Sequence, residues 1–374
     1  MERWKVKERR VLLLLLFLVS VSLSLLSFPS QPKHLTSLAV LNLAIPSPQI
    51  PLPLQLVLAN CWQLQFSSKA VCYPWWNFGC FGVTFLTEPD KMEDLKESIL
   101  QMWKQPNWDL LIFRQGKNLA SQQLSQWKRM PMEWLKWQAR ITALGNRSSL
   151  DEDELFPISF DDFQIVARKL ARYDPLLIFP NGYSQSFTNL PLKRPSLYTG
   201  FHLTFKTTSL RTHGLWWLVA KGEPEAAIVL GNLLGGGTEA KWFQILRGEK
   251  PIAYHAIAQV LWTPFGVELS LYAATAHKDF KIAQKKARQL LSDLMRGEIG
   301  EGEFERAKLL AQLRLKQIEA DPIALNQELA VWAMSGKSFE DWEKLPLKLQ
   351  SLSLKDLKAF CLSLPRFSEL IAMP

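Results

Sequence analysis

The stretch GGGTEAKWFQILRGEKPIAY, residues 235–254, gathers the side chains best suited to chemistry: three consecutive glycines, Arg247 and Tyr254. A Walker-type phosphate cradle needs a lysine and a hydroxyl directly after its last glycine, at the end of a strand. Thr238 and Glu239 follow the glycines instead, and the residues before them read as a helix, so the nucleotide reading fails. Glycines at a helix end allow left-handed geometry and an abrupt restart of the chain. What remains is a guanidinium and a phenol, donors able to bind a peptide carbonyl or a carboxylate and to stabilise developing negative charge. The same two residues have a local reading. An arginine in a last helical turn complements the helix dipole, and a tyrosine on an alternating strand is often half core.

Other chemical groups are weaker candidates. His213 near Trp216 and Trp217 suggests a stacking site, but paired tryptophans entering a strand are more often packing. Glu301, Glu303 and Glu305 suit a cation, yet at a helix start they serve its dipole. Cys72 and Cys80 bracket YPWWNFG with no histidine or carboxylate nearby to complete a zinc set. They are read either as a local disulfide or as buried thiols, and Cys361 as core.

The elements that must position Arg247 and Tyr254 follow from periodicity. FHLTFK, from Phe201, alternates as a half-buried strand, and GLWWLVAKG is a second, apolar one. A helix is expected over residues 225–234, with Thr238 as N-cap of a second helix ending near Leu246. Residues 252–262 and 266–275 alternate around TPFG as an antiparallel hairpin. The class is α+β, an antiparallel sheet with helices packed on one face.

The chain also repeats itself. FGVTFLTEPDKMEDLKESILQMW from Phe81 matches FGVELSLYAATAHKDFKIAQKKARQLL from Phe265. Phe113 and Lys117 match Phe304 and Lys308, and Pro131 and Pro322 follow those lysines by the same fourteen residues. Ser159 with Asp162 answers Ser353 with Asp356, the spacing of a capped helix start. DPLLIF, residues 174–179, lies where RFSELI, residues 366–371, lies.

Length and charge bound the rest. At 374 residues the chain is long enough for two compact units. Of its net charge of +9, the first ten residues carry +3, and the remaining cations are dispersed and interrupted by acids. No concentrated basic face with aromatic platforms marks a nucleic-acid partner. Five cations ahead of the uncharged residues 11–28 form a signal sequence or an uncleaved membrane anchor, which implies export, with the chain periplasmic or membrane-anchored and facing the periplasm or exterior. A second apolar stretch, residues 38–59, is interrupted by Pro46, Pro48, Pro51 and Pro53 and is read as an extended lead-in rather than a spanning helix. The organisation expected is an export segment (1–30), a Pro- and aromatic-rich lead-in (31–80), a first unit (81–182), a linker (183–197) and a complete C-terminal unit (198–374).

Gly235 to Gly237, Phe243, Leu246, Arg247, Lys250, Ala253 and Tyr254, followed by GEIGEGEFERAKLLAQ, resemble the C-terminal domain of the pitrilysin and insulinase family of zinc peptidases, which includes the mitochondrial processing peptidase. The resemblance runs from about Gly200 to the end, and 81–182 resembles the back half of the preceding family domain. Gly248 stands where the family has an acid, and Pro251 where it favours glycine. The resemblance implies one complete processing-peptidase-like domain preceded by a truncated half-domain. Catalysis in that family uses an inverted H-x-x-E-H zinc motif, and none of His34, His202, His213, His255 or His277 is followed by Glu-His at that spacing. The chain is therefore expected to hold no metal, no cofactor and no catalytic residue of its own, with zinc in a partner subunit. In two-subunit members, the resemblance implies, a subunit without the motif reaches an arginine and tyrosine from this stretch toward peptide bound at the partner's metal, which makes Arg247 and Tyr254 the substrate-binding candidates. The other readings are an assembly scaffold without a role in proteolysis and, last, an autonomous hydrolase with unrecognised residues.

Overall fold

The structure, a computed structural model, describes residues 38–47, 50–145, 155, 157–179, 182, 183, 196–248 and 251–374. The export segment, His34, Lys250, the acidic residues 151–154 and most of the linker lie outside the described residues.

Among the described residues ten strands form two five-stranded sheets. The first runs β2 (Val71–Asn77), β3 (Cys80–Thr87), β1 (Ala39–Pro46), β4 (Leu176–Phe179), β5 (Gly182–Tyr183), antiparallel throughout. The second runs β8 (Ala253–Thr263), β9 (Gly266–Thr275), β7 (Thr212–Ala220), β10 (Ser368–Met373), β6 (His202–Lys206), antiparallel except for the parallel β10 and β6 pair. Four strands correspond in order and direction, β2, β3, β1 and β4 to β8, β9, β7 and β10, so the repeat read from the sequence is a repeat of topology; the edge strands β5 and β6 differ in chain position and direction. The α+β class with antiparallel sheets holds.

One part of the reading gives way. Residues 38–59 are not a lead-in: AVLNLAIP is the central strand of the first sheet, and helix α1 (Leu52–Phe66) packs on its neighbours β2 and β3. Of the prolines that argued for an extended segment, Pro48 lies outside the described residues and the other three sit where each is tolerated. Pro46 ends the strand, Pro51 is the N-cap, and Pro53 lies in the first turn of α1, where its missing N–H has no intrahelical partner to lose. β1, α1 and β2 thus supply to the first sheet what β7, the helix after it and β8 supply to the second. The expectation of a missing front half, with only residues 81–182 folded, is corrected accordingly.

The repeat extends to single atoms. In the first half α2 (Met92–Lys104), α3 (Leu110–Arg129), α4 (Pro131–Ala143) and α5 (Phe160–Leu170) follow the hairpin. In the second, α6 (Pro224–Gly235) and α7 (Lys241–Arg247) precede the hairpin, and α8 (Phe280–Met295), α9 (Glu301–Ala320), α10 (Pro322–Met334), α11 (Phe339–Glu343), α12 (Leu345–Ser351) and α13 (Leu354–Leu362) follow it. Lys117 of α3 donates to the Ile158 carbonyl at 2.9 Å, and Lys308 of α9 to the Leu352 carbonyl at 2.8 Å. Each of those carbonyls immediately precedes a Ser–Asp capping box, Ser159 with Asp162 and Ser353 with Asp356.

The equivalent helices α4 and α10 are exchanged between the halves. Leu135, Ala139 and Ala143 of α4 pack on Leu215, Trp217 and Ala274, one face of the second sheet. α10 crosses β1, β3 and β4 of the first sheet, where Asn42 donates to the Asn326 carbonyl at 3.1 Å while accepting from Trp75 Nε1 at 2.9 Å. α6 and α8 cover the other face of the second sheet, and α13 packs against those two helices. Helices therefore lie on both faces of that sheet, not on one, which is why β7 and β9 are buried along their whole length.

Candidate functional site

Arg247 and Tyr254 are brought together. α6 ends at its glycines because Gly235 lies so close to β8 that a Cβ there would sit 2.1 Å from the Ala258 carbonyl oxygen, and Gly237 takes φ +115°. α7 begins at Lys241 with Ala240 at its N-cap, two residues beyond the Thr238 expected from sequence. Two apolar anchors seat α7: Leu246 is fully buried, and Trp242 donates to the Tyr272 carbonyl at 2.8 Å and meets Trp216 edge-on at 5.7 Å. The chain then turns back, with Ile252 N bonded to the Leu246 carbonyl at 2.9 Å.

That turn sets Arg247 against β8. Its Nη1 donates to the Tyr254 carbonyl at 2.7 Å, and its guanidinium lies 5.4 Å from the Phe243 ring. Tyr254 falls at a break in register between Ala253 and His255, a β-bulge that turns its side chain out of the ladder. Half of Tyr254 is exposed, and its ring carries the guanidinium of Arg211 at 3.9 Å. Arg211 precedes β7 and is the residue that sequence reasoning missed. Its signal is only topological: β7 and β8 flank β9, and Thr212 and Ala253 both face Thr275.

His213 is held nearby, between Tyr272 Oη at 2.7 Å and Ser209 Oγ at 2.8 Å. It stacks on Tyr272, not on the tryptophans beside it in sequence. Burial, with the charges of Arg211 and His255, lowers its pKa to about 4. The ring is thus neutral at pH 7, and the positive charge of this corner belongs to Arg211 and Arg247. The arrangement is two guanidinia around one exposed phenol, a set of donors for carbonyl or carboxylate oxygens.

The remaining candidates are structural. Glu303 accepts from Gly300 N at 3.1 Å and pairs with Lys241 at 2.7 Å, serving the start of α9. All four cysteines are buried free thiols, and Cys72 lies opposite Phe85 while Cys80 lies opposite Asn77, so the local disulfide is ruled out by their separation along the hairpin. Burial pushes the Cys72 thiol up to about 12. The front-half helix α1 reads LPLQLVLANCWQLQF, without a histidine or carboxylate. Among the described residues no three His, Cys, Asp or Glu side chains converge as a metal site.

Within this two-sheet α+β fold, residues 201–310 match the family described as peptidase M16 inactive domain. The resemblance read from the sequence stands. Solved structures similar to the chain include a protease from Helicobacter pylori, at 12% identity and TM-score 0.72 over 90% of this chain and 95% of that one. A peptidase M16 inactive domain from Pseudomonas fluorescens is similar at 14% identity and TM-score 0.66, over 90% and 93%. A chain of complex III2 from Candida albicans is similar at 13% identity and TM-score 0.67, over 90% and 91%. At these identities the likeness is one of fold. No curated protein matches the sequence.

Proposed function

We propose that the chain is a non-catalytic subunit of the cell envelope that works beside a zinc-bearing pitrilysin-family peptidase and helps to bind its peptide substrate. The observation that carries this reading is the cluster of Arg211, Arg247 and Tyr254, two cations and a phenol presented on the bulged end of an edge strand. Tyr254 contributes its exposed hydroxyl, and Arg247, which spends one donor on the Tyr254 carbonyl, keeps the others for substrate oxygens. Hydrolysis belongs to the partner's zinc, since α1 offers no imidazole or carboxylate. The cation-flanked apolar residues 11–28 support delivery across a membrane, and among the described residues no helix is long and apolar enough to cross one. Replacing Arg247 and Tyr254 together by alanine, in a complex reconstituted with the zinc subunit, is expected to leave assembly intact and to lower peptide cleavage at least tenfold.

A scaffold role is the second reading, favoured by the likeness to a chain of complex III2. Unchanged cleavage by the double variant would establish it and remove the substrate role.

A further inference from the structure

Along β8, beyond Tyr254, a cavity of about 300 Å³ opens between the strand, α6, α9 and α10. That is the lower end of the range for small-ligand sites. Among its mostly aliphatic and polar lining stand three tryptophans, Trp262, Trp332 and Trp342, with Trp332 tilted 46° to Trp262 at 6.2 Å and edge-on to Trp342 at 5.3 Å. Into it faces Glu328, which is half-buried and, among the described residues, makes no hydrogen bond or ion pair. Trp332 satisfies its ring N–H on the Ser338 carbonyl at 2.9 Å, whereas Trp262 Nε1 is buried with no partner. A carboxylate left unpaired in such a place is costly, and a protein interior normally pairs it.

The nearby cations do not fill the role. Arg314 lines the cavity from α9 but stands beyond ion-pair distance of Glu328. Lys337, which does not line the cavity, is engaged by Glu223 at 2.8 Å, with its ammonium 6.0 Å from the Trp262 ring. Burial pushes the Glu328 carboxyl up, and Arg314 offsets this only in part.

We infer that the cavity is a binding site for an alkylammonium or alkylguanidinium group, with Glu328 as its counter-ion and the three tryptophans as its aromatic contacts. A site that offers aromatic rings and one carboxylate selects an organic cation over a neutral chain of equal length, because the rings attract charge and the carboxylate gains the partner it lacks. The source is either a free amine or a lysine or arginine side chain on a peptide. The site stands independently of the role proposed for Arg247 and Tyr254.

The test is calorimetric titration of the full chain with n-butylammonium, n-butylguanidinium and n-pentanol, and with a five-residue blocked alanine peptide carrying a central lysine or, as its neutral control, norleucine. Both cations are expected to bind at least tenfold more tightly than pentanol. Glu328→Gln is expected to lose that preference while melting no lower than the parent, and Arg314→Ala to keep it. A lysine peptide that binds more than tenfold more tightly than butylammonium identifies a side chain as the source, and equal affinity identifies a free amine. Equal binding of pentanol, or no binding by either cation, overturns the proposal. So does a lowered melting temperature in both Glu328→Gln and Arg314→Ala, which would make the two residues a structural pair.

Discussion

Arg140 of α4 and Glu268 of β9 form a bidentate pair across the two halves, Nε to Oε1 at 2.8 Å and Nη2 to Oε2 at 2.5 Å, with Trp217 Nε1 also donating to Oε1 at 2.6 Å. Both side chains are almost wholly buried, at 4% and 1% exposure. Burial alone would raise the Glu268 pKa, but the charge and hydrogen bonds of Arg140, with Lys136 behind it, hold the carboxyl below its ordinary range. Removing one partner strands the other. Arg140→Met is expected to cost about 3–5 kcal/mol in urea unfolding, and the double variant Arg140→Met with Glu268→Leu distinctly less, because it strands no charge.

Lys308 caps a carbonyl that no helix satisfies. Its ammonium reaches the Leu352 carbonyl at 2.8 Å, and the Phe304 ring lies 5.5 Å away. Lys308→Met is expected to lower stability by about 1–3 kcal/mol, as a charged hydrogen bond is lost at a part-buried carbonyl. Lys316→Met, on the exposed side of the same helix, stays within about 0.5 kcal/mol. Both are read from urea midpoints.

Gly235 is required by proximity to β8 and not by its backbone angle. A methyl group there would meet the Ala258 carbonyl oxygen at 2.1 Å, and that atom belongs to a strand that cannot yield freely. Gly235→Ala is expected to destabilise by about 1–3 kcal/mol and to shift α6 away from the strand. Gly302→Ala, with nothing within 4 Å, is expected to stabilise by about 0.4–1 kcal/mol. Thermal melts of the two variants should move in opposite directions.

His213 makes stability depend on pH. Its folded pKa is lowered to about 4, below the unfolded value of about 6.5. The unfolded chain therefore takes up a proton that the native state refuses, and stability falls as pH drops from about 6.5 to about 4. The groups that face it are Tyr272, Ser209, Arg211 and His255. The loss is expected to reach about 2–3 kcal/mol at the acid end, and His213→Asn to flatten that part of the curve in unfolding measured across the window.

How much of this was legible in the sequence varies with the kind of signal. The hairpin of β8 and β9, the glycine break and the lysine-to-proline interval of the repeat were legible because each depends on local periodicity or on a residue type with one conformational use. β1 and α1 were not, since four prolines within eight residues look like a disrupted segment until the strand end and helix start are located. The exchange of α4 and α10 was also hidden. α10 is apolar around most of its circumference, a pattern that indicates burial without naming the sheet that provides it. The pairing of Arg247 with Tyr254 was anticipated, but Arg211, forty-three residues before Tyr254, reaches the tyrosine only through strand order, which sequence spacing does not encode.

Each half of the molecule lends the other a helix, and this settles what kind of motion the pair can make. A clamp that opens by swinging one half from the other would have to unseat α4 from the second sheet and α10 from the first at the same moment, uncovering both interiors to water. The two sheets therefore travel as a single solid piece. In the complex proposed above, an opening that admits a peptide would then have to form between this chain and its partner, not within this polypeptide.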